Sequence, residues 1–380
     1  MMDKLPPPEE CIQQLLEGTT KFGASDLHLK THYPPYYRVG GHLRRIEMPV
    51  IEDSAYIEAM LRTLVPPTRR HEYDEHGDLD FAYRGKLGDR FRINIFRAGG
   101  DMHSAIRRVN NRIPTFEELN LPPIYHDVAG RHIDGLFLVT GVTGSGKSTT
   151  LACMIDRVNE LRQLHIITIE DPIEYILSPK KSVISQREIG IDIPDYAEAL
   201  RYVVRQDPDC IFIGEMRDKN TMLAALQAAE TGHLVFGSLH VQDAQQTFNR
   251  ILEYYPRAEH DFIRSSIANS LRGILCQRLL PGIDENSRYP ATEVLLNNAT
   301  VQDKIRAEED EDIPAIIEQC TGEGMRSFTL SLAELVEKEL VHYDTAMAYA
   351  PNREALSSRV KGISVAAQSL IGKVRAKAQF

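Results

Sequence analysis

The spacing of apolar positions changes period once along the chain. In the first part it is mostly two. Asp26-Leu-His-Leu-Lys30 alternates, which predicts a half-buried strand. Tyr36–Val39 and His42–Ile46 read as two more strands joined by a Gly40-Gly41 turn. Leu79–Tyr83, Asp89–Phe96 and Met102–Val109 repeat the alternation, with Gly99-Gly100 turning the chain between the last two. Residues 9–20 and 51–64 have helical spacing, and Pro66-Pro67 ends the second helix. Together these predict a small α+β domain with an antiparallel sheet over residues 1–109. Arg90, Arg92 and Asn94 share one face of their strand, and Phe91, Ile93 and Ile95 share the other. Most of those polar positions read as a solvated face; Arg92 and, on the next strand, Arg107 are singled out below.

Residues 110–123 carry Pro114, Pro122 and Pro123 and read as a linker or hinge. From Ile124 the pattern becomes short apolar runs alternating with helical stretches. That predicts βαβ units and a mainly parallel sheet, an α/β fold, over 124–362. The expected strands are Leu136–Thr140, His165–Ile169, Asp209–Ile213, His233–His240 and Ala291–Leu296. The expected helices are Thr149–Glu160, Tyr196–Arg205 with Asp195 as its cap, Asn220–Glu230 and 259–278. From about 301 the chain reads as helical and acidic. Residues 363–380 are weakly patterned and read as a mobile tail carrying Lys373, Arg375 and Lys377.

Composition narrows the function classes. The 380 residues carry a formal net charge of -10, which disfavours a general nucleic-acid binder. The cysteines, Cys11, Cys153, Cys210, Cys276 and Cys320, are scattered with no C-x-x-C, so neither a zinc ribbon nor a disulfide framework is expected. That suits a reducing cytosol. No secretory leader and no apolar run of membrane-spanning length is read, so any membrane role is expected to come through a partner.

Candidate chemistry sits at the ends of the expected parallel strands, where ligands of such sheets bind. Leu136–Thr140 runs into Gly141-Val-Thr-Gly-Ser-Gly-Lys-Ser148 and then a helix, the strand–loop–helix context that a phosphate-binding P-loop requires. Its glycines Gly141, Gly144 and Gly146 let successive N–H groups converge on an anion, helped by Thr143, Ser145 and Thr149. Lys147 is expected on the β- and γ-phosphates of ATP and Ser148 on Mg²⁺. The strand Asp209–Ile213 ends in Gly214-Glu215, so an aspartate often found at that place for the metal is absent. Glu215 is then a candidate to hold a metal-bound water. Glu170, Asp171 and Glu174 are candidates to orient or deprotonate the attacking water, with Glu174 favoured. His240, at the ligand end of its strand, reads as a γ-phosphate sensor or relay, the alternative being a hydrogen-bonded core histidine. His233 starts the same strand, near its opposite end, and is weighed against the same hydrogen-bonded core alternative.

These runs, with Ile166–Glu174, Ile211–Asp218 and Thr231–His240, resemble the Walker A, Asp box, Walker B and His box of the secretion ATPase superfamily. Ala24–Leu29, Phe91–Asn94, Arg107 and Ala228–His233 are similar to the branch of it that retracts type IV pili. The resemblance covers roughly residues 9–362. It implies a PAS-like N-terminal domain, a RecA-like ATPase domain, a homohexamer, and ATP with Mg²⁺ bound between the two domains. It also implies that Arg92 and Arg107 reach the phosphates, that Glu174 and Glu215 are the catalytic carboxylates, and that His233 and His240 form the His box. The implied partners are the inner-membrane platform protein of the pilus and a second ATPase of the PilT or PilU type, with no nucleic acid. One departure stands out. The retraction-linked Ala-Ile-Arg-Asn-Leu-Ile motif is matched poorly by Val301–Arg306, which an acidic run to Asp312 follows. The rivals are therefore an accessory or assembly motor, a hexameric nucleic-acid translocase and a non-hydrolysing ATP-binding regulator.

Overall fold

The computed structural model describes residues 5–109, 112–284 and 287–362; the expectations for Asn110, Asn111 and the tail 363–380 lie outside them. The chain divides into two compact units.

The first unit holds strands β1 (Asp26–Lys30), β2 (Tyr36–Val39), β3 (His42–Arg45), β4 (Leu79–Arg84), β5 (Arg90–Ala98) and β6 (Asp101–Val109). They form a six-stranded sheet in the order β3-β2-β1-β6-β5-β4, antiparallel throughout. The alternation is as expected: Phe91, Ile93 and Ile95 are buried with Leu27, Leu29, Phe81 and Ile106. Helices Pro8–Lys21 and Ser54–Arg62 pack on this core through Ile12, Leu15, Leu16, Ile57, Met60 and Leu61. The second helix starts later than its pattern suggested because the Asp53 carboxylate caps it, accepting from Ala55 N at 2.9 Å. A short helix, Arg70–His76, was not anticipated.

Two findings revise the expected domain limits. Ile169–Leu177 and Gln186–Tyr196 belong to the first unit, although they lie far along the sequence. The Glu188 carboxylate, almost wholly buried, pairs with Arg90 and accepts from Ile173 N at 3.2 Å. Arg90 is therefore a buried ion-pair partner, not part of a solvated face. The other revision concerns 110–123. From Pro114 onward this stretch belongs to the second unit. Phe116, only 2% exposed, packs against the rings of Tyr125 and His126, so it is not a free connector.

The second sheet holds β7 (Gly135–Thr140), β8 (His165–Glu170), β9 (Val183–Glu188), β10 (Cys210–Ile213), β11 (Leu234–Leu239), β12 (Leu271–Pro281) and β13 (Arg288–Leu296), all in the second unit except the last residues of β8 and β9. The sheet order is β13-β12-β7-β11-β10-β8-β9. β10, β11, β7 and β12 run parallel, and β13 is antiparallel to β12. The apolar runs of β7, β10 and β11 are buried along their whole length, as strands covered on both faces must be. Residues 271–278, expected to continue a helix, are instead β12; the helix stops at Ser270. Pairing with β7 on one side and β13 on the other satisfies the backbone of this stretch, whose central Gly273–Cys276 is buried. Helices from Ala299 to Val360 complete the unit. Cys153 and Cys210 are buried, which pushes both thiols up to about 12 and keeps them unreactive.

Candidate functional site

The loop after β7 is shaped by positions where a side chain does not fit. Gly141 and Gly146 have φ of 153° and 90°. A Cβ on Gly141 would lie 2.4 Å from both the Gln277 carbonyl and Ser145 Oγ, and one on Gly146 would lie 2.8 Å from the Gln277 amide. The helix Lys147–Leu161 begins directly at this loop, so its N-terminal end and its dipole face any bound anion. Lys147 is nearly buried and its ammonium donates to the carbonyls of Gly141 (2.8 Å) and Val142 (3.1 Å). The loop thus positions a cation and a cradle of donors, the set that fits a nucleotide phosphate. Ser148 follows Lys147 on the first turn and is the hydroxyl that suits Mg²⁺.

Beside the loop, β10 and β11 deliver the other groups in this unit. Glu215, just past β10, accepts from Arg217 at 2.5 Å and lies 3.0 Å from His240 Nε2. Burial alone would raise its carboxyl, but the Arg217 hydrogen bond and the charges of His240 and Arg217 outweigh it and hold the group below the usual carboxylate range. His240 Nδ1 is 3.5 Å from Thr143 Oγ1 of the loop. A polar chain therefore links Thr143, His240, Glu215 and Arg217. His233 does not join it. β11 separates it from His240 by the strand's length, about 20 Å at roughly 3.3 Å per residue. Its Nδ1 bonds Ala228 O (3.0 Å) and Thr231 Oγ1 (3.1 Å), closing the preceding helix.

The first unit gathers the remaining expected residues. Arg92 and Arg107 are direct cross-strand partners on β5 and β6, so their side chains share a face. Arg92 makes a two-pronged bond to Asp80, its shortest contact being 2.6 Å, and Arg107 donates to Asp26 at 3.0 Å. The bonds to Asp80 raise Arg92 above its ordinary value; burial opposes this, and the charges of Asp80, Glu174 and Asp171 add to it. Glu174 is thus in the electrostatic neighbourhood of Arg92. Glu170, by contrast, is buried and accepts from Gln186 at 3.1 Å.

Three functional positions escaped the sequence reading. Asp26 and Asp80 orient the two arginines; the alternation of Asp26-Leu-His-Leu was the available signal for the first. Gln277 underlies the P-loop, touching Gly141 and Gly146 and accepting from Thr150 Oγ1 at 2.8 Å. No signal marked it, because its strand read as a helix. Replacing Gln277 with Ala leaves the buried Thr150 hydroxyl without that acceptor, at a cost of about 1–3 kcal/mol. Thermal denaturation should record that loss, and calorimetric titration with ADP should show several-fold weaker binding.

The chain is similar over most of its length to several known proteins. The model of the family described as Type II/IV secretion system protein matches residues 2–341. The chain is 38% identical over 335 residues to the type IV pilus retraction ATPase PilT of Pseudomonas aeruginosa, covering 88% of this chain and 96% of that one. It is also 38% identical over 323 residues to a twitching motility protein of Neisseria gonorrhoeae, covering 85% of this chain and 86% of that one. A crystal structure of the pilus retraction motor PilT with bound ADP superposes with a TM-score of 0.84 at 37% identity, covering 91% of this chain and 98% of that chain. With the family's sequence pattern spanning nearly all of it and the fold shared, the chain belongs to the Type II/IV secretion system protein family, among its ATPases.

Proposed function

We propose that this chain is a cytoplasmic, hexameric ATP-hydrolysing motor that drives type IV pilus retraction, and with it twitching motility, through an inner-membrane platform protein. The observation that carries this reading is the assembly of P-loop, Glu215 and His240 at adjacent strand ends in a chain 38% identical to PilT over most of its length. Among the described residues no helix is long and apolar enough to cross a membrane, which is compatible with attachment through a partner.

Catalysis here is mainly electrostatic. The loop N–H groups and Lys147 hold the β- and γ-phosphates, and Lys147 exchanges its two carbonyl partners for phosphate oxygens. Ser148 would hold Mg²⁺, with Glu215 acting through a water. When bound, the ion would supply positive charge that offsets the negative charge of the phosphates. Glu174 orients and deprotonates the attacking water. Arg92 and Arg107 stabilise the charge that develops on the transferring phosphoryl, each kept extended by its aspartate. His240 reports the state of the γ-phosphate to Glu215. Hydrolysis changes the relation of the two units, and neighbours in the ring pass the change on. A second ATPase of the PilU type is a further partner of the ring.

The test is steady-state ATPase activity of the purified chain beside Glu215→Ala and Glu174→Ala, with oligomer mass measured on each. The expected outcome is a hexamer that turns over ATP, and variants that bind nucleotide but lose about 10²-fold or more in kcat. Binding without turnover by the wild-type hexamer would overturn the motor reading.

A second reading, an accessory or assembly motor, is kept by the region 301–312. There the helix Ala299–Arg306 leads into an acidic staple in place of the retraction-linked motif. A deletion strain with surplus pili supports retraction; one with none supports assembly.

A further inference from the structure

Glu293 is a titratable group that the chemistry above leaves unused. It stands on β13 directly opposite Cys276 of β12, and Cys276 stands opposite Thr140 of β7. The three side chains therefore share one face, in a row ending at the residue that enters the P-loop. The Glu293 carboxylate accepts the backbone N–H of Ala244 at 2.9 Å. Ala244 opens the helix Ala244–Leu252, which follows the turn from His240 to Asp243. One carboxyl group thus ties the turn carrying His240 to the strands that carry the P-loop and Gln277.

We propose that Glu293 is a positioning residue for ATP hydrolysis, setting the His240 turn against the P-loop strands and doing so best when ionised. This rests on the ATPase reading and adds to it. An ionised carboxylate is the stronger acceptor for a backbone N–H; protonation weakens that anchor and lets the turn, with His240, move away from Glu215.

Burial pushes the Glu293 carboxyl up to about 7; the Ala244 N–H and the charge of Arg278 pull the other way, and Asp243 adds to the rise. The groups around it come from every neighbouring element: Cys276 and Arg278 on β12, and Asp243 at the helix cap. Across a cavity of about 830 Å³ that Glu293 lines face Glu318, Glu337 and Arg359. That cavity opens to solvent and provides the route for proton exchange. The Cys276 thiol, raised well above its ordinary value chiefly by burial, stays protonated and does not compete.

The experiment compares wild type, Glu293→Gln and Glu293→Ala by kcat, KM for ATP and ADP affinity from pH 6 to 9, with thermal stability recorded at each pH. Glutamine keeps the shape and an acceptor oxygen but neither titrates nor carries charge. The expected wild-type kcat rises through about pH 7. In Glu293→Gln that limb is absent and kcat at pH 8 is lower by about 5–10-fold, a loss on the scale of one hydrogen bond to a charged group. KM and ADP affinity stay within about twofold, as expected when a turn rather than the phosphate cradle is disturbed. Glu293→Ala loses as much or more, and its stability shows whether packing contributes. Wild-type kcat and an unchanged pH profile in Glu293→Gln would overturn the proposal, whatever the alanine variant does. Absence of turnover in wild type would instead overturn the ATPase reading, so the two failures are distinct.

Discussion

Replacing Lys147 with Ala is expected to abolish most turnover, by about 10²–10³-fold in kcat, the scale seen when one preorganised transition-state donor is removed. The ammonium is nearly buried and is held by the carbonyls of Gly141 and Val142, so it waits at the phosphate cradle without a large rearrangement. A cation on the transferring phosphoryl is worth more in such a shielded site than in water. Nucleotide affinity should fall as well, because the same charge meets the ground-state phosphates. Stability should fall only modestly, by about 1 kcal/mol, since the Val142 carbonyl lies at an exposed residue and only the Gly141 carbonyl loses a buried donor. Steady-state ATPase rates, ADP titration and thermal denaturation separate these effects. A variant with wild-type kcat would remove the P-loop from the mechanism.

Replacing Asp310 with Ala is expected to cost about 3–5 kcal/mol of stability, the range for removing one partner of a buried ion pair. Asp310 and Arg264 are both nearly buried and joined by two contacts of 2.8 Å. Arg264 also donates to Ile305 O at 3.1 Å, fastening the helix Ala299–Arg306 to the helix His260–Ser270. Removing the carboxylate leaves the guanidinium buried without its counter-charge. The unfolding midpoint should drop by about 10 °C, taking the usual few degrees per kcal/mol for a domain of this size. Arg264→Met should cost less than Asp310→Ala, because the Asp310 carboxyl it strands can be neutralised by taking up a proton, whereas a stranded guanidinium stays charged. Calorimetry on both variants checks this; equal losses would mean that packing, not charge, holds the region.

The acidic run that departs from the retraction-linked motif therefore has a structural role. Lys304 bridges Glu309 and Asp312, and Asp310 closes on Arg264. Read along the chain, Ala307–Asp312 suggested only an acidic helical stretch. Its partners stand on other elements, and pattern within the segment carries no information about them.

By itself the sequence determined whatever depends on neighbours a few residues away. The strand–glycine loop–helix around Lys147 is such a unit: its backbone angles, its cation and its helix N-terminus are all local requirements. So is the alternation that buries Phe91, Ile93 and Ile95. The ends of one strand were legible too, since the length of β11 separates His233 from His240. Tertiary structure alone decided the pairings. β12 became a strand because β7 and β13 offered it backbone partners on both sides, against a local pattern that suited a helix equally well. Antiparallel register set Arg92 beside Arg107, and packing drew Glu188 to Arg90 and placed Gln277 beneath the P-loop. Local spacing limits which side chains share a face; which faces then meet is decided by burial and hydrogen-bond satisfaction summed over the whole fold.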